Sequence, residues 1–146
     1  MNQRRKGAKA ELEVANLLDG KWLTADGVTV TARRGQQFSG GPDSPDVVHN
    51  IPLVHLEVTR SYKVKPGTEA MTAKLGQAER DCPLVAIPYI VWRHDGDTSW
   101  RVTFSAKIGR NYIQPCQHRG HEVTVSFASA TVLWGLRPVV AEGATA

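Results

Sequence analysis

The sequence predicts an α/β fold in which a central mixed β-sheet is flanked by helices. Three observations carry that expectation. Residues 6–19 repeat apolar side chains at helical spacing. Short β-branched stretches alternate apolar and polar residues. A second helical pattern over 69–81 lies between the strands. The length, 146 residues, suits one domain built on one core.

In the first helix Ala8, Leu12, Val14, Ala15 and Leu18 fall on one arc, with Glu11 near its middle. Glu13 falls on the opposite side, near Lys9 and Asn16. An acid inside an apolar face is costly to bury unless a metal, a water or a basic partner compensates it. The other reading of Glu11 is an acid that serves the helix dipole. Asp19-Gly20 ends the helix. Residues 28–32 read as a strand, and 33–44, rich in glycine, as a loop. Residues 46–49 and 53–60 read as two strands joined by Asn50-Ile51-Pro52, which predicts an antiparallel hairpin. In the second of these, Val54, Leu56 and Val58 share the core face, and His55, Glu57 and Thr59 share the other. Met71, Leu75 and Ala78 form the apolar side of the 69–81 helix, with Lys74 and Gln77 beside it. Residues 84–92 read as an apolar strand in which Pro88 marks an edge or bulge. Residues 100–104 return antiparallel to it after the turn at 94–97. Residues 123–127 suggest a strand, 128–136 a short helix, and 138–146 a loose tail.

Composition is that of an ordinary globular chain, 41% hydrophobic and 22% charged, which argues against a disordered or membrane-embedded class. No apolar run reaches the roughly 20 residues needed to span a bilayer. The basic start, Met1 to Lys6, lacks the apolar segment of a signal peptide. Cys82 and Cys116 form no metal or redox motif, and a cytoplasmic setting is expected. Net charge is +4. Basic residues cluster at Arg4, Arg5, Lys6 and Lys9, at Arg33 and Arg34, and at Arg60, Lys63 and Lys65. They are compatible with a nucleic-acid partner, the plainer reading being solvated basic faces.

The strongest chemical signal is a pair of acids, Asp46 in Pro45-Asp46-Val47-Val48 and Glu57 in Leu56-Glu57-Val58-Thr59. One enters a strand and the other lies on the next, so two carboxylates can meet on a sheet and hold a hard cation such as Mg²⁺. Asp43 is the rival for the first position. Asp46 is preferred because the β-branched pair Val47-Val48 follows it directly. His55 shares a face with Glu57, either as its partner or as a half-exposed strand residue. Gln77 is either a site residue that binds water or phosphate, or an ordinary helix-surface glutamine. His118 and His121 lie near Cys116 but lack the ligand number and spacing of a zinc site. Trp92, Trp100 and Trp134 are expected to fill the core.

The segments Lys6-Gly7-Ala8-Lys9-Ala10-Glu11-Leu12-Glu13, Pro45-Asp46-Val47-Val48 and Leu56-Glu57-Val58 resemble the archaeal-type Holliday junction resolvases and related phage nucleases of the PD-(D/E)XK, restriction-endonuclease-like superfamily. Residues 74–81 and 83–86 resemble the helix and strand that follow the motif in phage members. The resemblance covers about residues 4–104 and leaves 105–146 as a C-terminal extension that could serve a dimer contact. It implies a single nuclease domain that uses Mg²⁺, or Mn²⁺ in its place, and works as a homodimer on four-way DNA junctions, with no membrane partner. It makes Asp46, Glu57 and the Val58 carbonyl metal ligands, and Glu11 an acid that binds metal or orients water. Arg33 or Arg34 would meet the scissile phosphate. The family has a lysine two residues after the second acid, where this chain has Thr59. Lys74 or Lys63 could supply the missing charge. The alternatives are a weakened or inactive DNA-binding module on the same fold, or a nuclease for linear duplex or single strands. Leu12 also departs from the arginine that resolvases often carry after the helix acid.

Overall fold

The computed structural model describes residues 3–35, 45–105 and 122–140. In chain order the elements are α1 (Gln3–Leu18), β1 (Trp22–Leu23), β2 (Ala32–Arg34), β3 (Val47–His49), β4 (Val54–Arg60), α2 (Glu69–Asp81), β5 (Ile87–Arg93), β6 (Arg101–Ser105), β7 (Glu122–Ser126), α3 (Phe127–Leu133) and β8 (Arg137–Pro138). Strands β4-β5-β6-β7 form a mixed sheet in that order. β4 and β5 run parallel, as expected of two strands joined through a helix, and the other neighbours run antiparallel. Two small antiparallel pairs, β2-β3 and β1-β8, stand beside it. No described helix is long and apolar enough to cross a membrane.

The sheet divides the core. On one side α1 and α3 bury Ala10, Val14, Leu18 and Ala130 against Leu56, Val58, Tyr89, Val91, Val102 and Phe104. On the other, Met71, Leu75 and Ala78 of α2 pack on Ile90 and Trp92. The alternation of β5 thus feeds both layers. Trp92 is 1% exposed, and its indole N–H donates to Thr103 Oγ1 at 2.9 Å. Trp100 and Trp134 are also buried, as expected of core residues.

Helix α2 keeps its expected bounds because Thr68 caps it, accepting the Met71 N–H at 3.2 Å. Other expectations need correction. Leu12 is exposed and Ala10 takes its place, so the buried arc of α1 is turned toward Ala10, Val14 and Leu18 while still holding Glu11. The strand expected at 28–32 forms later, at Ala32–Arg34, although Thr29 bridges Leu23. The hairpin expected between 46–49 and 53–60 does not form. β3 pairs with β2, and β4 pairs with β5. Asn50 accounts for the choice: its Oδ1 accepts the Thr31 N–H at 2.9 Å and its Nδ2 donates to Thr29 O at 3.0 Å. The end of β3 is thereby fastened to the chain entering β2, while Ile51 plugs into the core. Pro88 lies inside the sheet rather than on an edge. It stands opposite His55 near the start of β5, before the ladder to β6 begins at Ile90, so its missing N–H disrupts no β6 bond. Leu84 and Val85 precede β5 and are exposed. At the end of the chain the expected loose tail instead begins with a short strand, β8.

Candidate active site

Among the described residues β4 pairs with one strand, β5, so its other edge is left without a strand partner. Asp46, just before β3, covers that edge. Its Oδ2 accepts the Val58 N–H at 2.8 Å. A close backbone approach holds it there. The Gly35 N–H donates to Asp46 O at 2.9 Å, and a Cβ on Gly35 would lie 1.9 Å from the Pro45 carbonyl oxygen. Only glycine leaves room for this crossing.

Leu56 and Val58 face the α1 layer, so Glu57 points to the α2 side, opposite Ile90 in register. Glu57 is 6% exposed and Asp46 7%, and the two carboxyls are hydrogen-bonded to each other. His55 is also buried, and its Nε2 lies 3.0 Å from Glu57 Oε1. A continuous polar chain therefore runs His55, Glu57, Asp46, Val58 N–H along the sheet edge.

The electrostatics follow from that arrangement. Burial, then the hydrogen bond and charge of Glu57, push the Asp46 carboxyl up to about 8. Burial also acts to raise Glu57, but hydrogen bonds from His55 and Asp46, with the charges of His55 and Lys74, outweigh it and hold Glu57 below the usual range. Near neutral pH the pair thus carries one proton, on Asp46. His49 is driven down to about 4 by burial and by the neighbouring His55.

Glu11 is 7% exposed on α1, and Arg34 Nε donates to its Oε2 at 2.8 Å. Arg34 is thus the basic partner that compensates the buried acid, and the Glu11 charge still adds to the rise at Asp46. Thr59 is half-buried at the end of β4 and Lys74 is half-buried on α2, where its charge reaches Glu57. Gln77 is exposed. Lys63 is exposed, 6.0 Å from the Tyr62 ring centroid.

Of the expected basic residues, Lys6 pairs with Asp95, as does Arg60, whose Nε lies 2.6 Å from Asp95 Oδ1. Arg4, Arg5, Lys9, Arg33 and Lys65 are exposed. Asp43, Cys116, His118 and His121 lie outside the described residues.

The donor set of Asp46 and Glu57 suits a hard divalent cation: two buried, hydrogen-bonded carboxyls with a proton between them that a cation can replace. Among the described residues no three acidic, histidine or cysteine side chains converge to make a complete cage. Ions such as Mg²⁺ commonly keep several waters and take only one or two carboxylates. The sequence marked His55 without settling its role. Its place on the Glu57 face was the available signal. No family model matches the chain, and neither the curated proteins nor the solved structures give a match.

Proposed function

We propose that the protein is a metal-dependent DNA endonuclease of the junction-resolving kind, working as a homodimer on four-way junctions. The observation that carries the reading is the buried Asp46–Glu57 pair sharing one proton along the edge of the sheet. Such a pair is costly to keep unless charge compensation arrives with a ligand.

In this reading Asp46, Glu57 and the Val58 carbonyl hold Mg²⁺ or Mn²⁺, which lowers the pKa of a water for in-line attack on a phosphodiester. Arg34, bonded to Glu11, meets phosphate when it leaves that acid. Lys74, placed on α2 with its charge felt at Glu57, stands in for the lysine that Thr59 replaces. Arg4, Arg5, Lys9, Arg33, Lys63 and Lys65 offer exposed cationic side chains to flanking phosphates, a contact that is sensitive to salt and blind to base sequence.

A second reading, a DNA-binding module without cleavage, is favoured by Thr59, a neutral residue at the position where the resembled family carries lysine. The test is incubation with a labelled four-way junction and a matched duplex in Mg²⁺, Mn²⁺ or EDTA, with Asp46→Ala and Glu57→Ala as controls. Paired junction nicks that vanish in EDTA and in both variants support the resolvase. Equal cutting of duplex moves the substrate to linear DNA. Junction binding without nicks supports the second reading.

A further inference from the structure

Resting on the metal-centre reading above, we infer that His55 is a positioning residue that fixes the Glu57 carboxylate, tying down Oε1 and leaving Oε2 as the oxygen that meets the cation. Both side chains are buried, 4% and 8% exposed, and they sit two residues apart on one face of β4 with Nε2 3.0 Å from Oε1. A glutamate has three side-chain torsions, and a lone Glu57 on a strand could turn either oxygen toward Asp46. The imidazole removes that freedom. Its ring is itself confined, because His55 is buried.

The direction of the hydrogen bond follows from what Glu57 can do. A carboxylate only accepts, so Nε2 carries the hydrogen and the ring donates to Oε1. This differs from a ligand role. Nε2 is already engaged with Glu57, and among the described residues no histidine joins a cluster able to hold a metal. Partners that hydrogen-bond metal-binding carboxylates orient them, and losing one typically weakens metal affinity about 10–100-fold.

The test measures Mn²⁺ affinity by titration calorimetry and by the loss of the free-ion EPR signal, on the wild-type chain and on His55→Leu, His55→Gln and His55→Asn, with melting temperatures in EDTA as the folding control. Gln carries an amide N–H to roughly the place of Nε2, whereas Asn reaches only as far as Nδ1. The expected result is Mn²⁺ binding weakened about tenfold or more by Leu and by Asn and largely restored by Gln. A purely structural role would move the melting temperature without separating Asn from Gln. Should His55→Leu fail to fold, the Asn and Gln pair still decides. Wild-type affinity in both Leu and Asn, or in both Asn and Gln, overturns the positioning role and leaves the metal centre standing. Absence of Mn²⁺ binding by the wild-type protein overturns both.

Discussion

The carboxylate of Asp46 holds the backbone N–H of Val58 at 2.8 Å, so the residue that opens β3 is locked to the strand that carries Glu57. Neither strand pairs with the other through its backbone. Side chains do the joining, Asp46 to the Val58 backbone and His49 to the Val54 backbone, and Asp46 is also a group whose proton affinity is strongly displaced.

Cation binding is expected to compete with that proton. Asp46 releases its proton near pH 8 in the metal-free protein, so a divalent ion arriving at lower pH must expel it. Mn²⁺ affinity should rise about tenfold per pH unit up to about 8 and level off above. Calorimetry in buffers of different ionisation heat checks this by counting the protons released.

The same group shapes stability. Its pKa in the fold is raised from 3.8 to about 8, so its favourable contribution is complete below about pH 4 and lost as pH climbs through 8. His49 acts in the opposite sense. Its pKa is lowered to about 4, so its contribution is present above 6.5 and lost as pH falls toward 4. Asp46→Asn isolates the first effect. The Tm of wild type minus that of the variant, both in EDTA, should decline steadily between pH 4 and 8; a constant difference would mean that Asp46 titrates normally.

Gly35→Ala should damage the site more than the fold. The new Cβ would meet the Pro45 carbonyl at 1.9 Å and push Asp46 off Val58. Gly35 lies outside both apolar clusters, so the core persists. Loss of Mn²⁺ binding with a retained cooperative melt is the expected pairing.

The two lysines proposed to replace the missing charge should separate kinetically. Lys74 acts on Glu57, whereas Lys63 lies exposed beside Tyr62. Lys74→Ala should slow single-turnover cleavage by about 10²-fold, the usual scale for removing one fixed charge-stabilising group, while Lys63→Ala should leave the rate nearly unchanged.

Local signals made much of this legible in the sequence. The Met71, Leu75, Ala78 spacing gives α2 and its buried side. The alternation of β4 gives the face of Glu57, and the arc of α1 gives the buried place of Glu11. Pairings decided by single distant side chains were not legible. Asn50 bonds residues 29 and 31 and so selects the partner of β3. Arg34 reaches Glu11 from 23 residues away. Gly35 reads as one more loop glycine until the Pro45 carbonyl is found against it. His55 reads as half-exposed because strand alternation alone does not reveal that α2 covers the second face.

Lys6, Arg34 and Arg60 each already face an acid of this chain, Asp95 or Glu11, and Arg60 also lies 4.0 Å from Glu13. An anionic partner approaching them meets tenants rather than vacancies. Binding there is an exchange in which each phosphate must be a better neighbour than a carboxylate held in place by the fold. For a phosphate-bearing partner, these three cations would therefore count for less than their formal charge. Anions that present their charge in the right geometry are favoured over those that merely carry more of it.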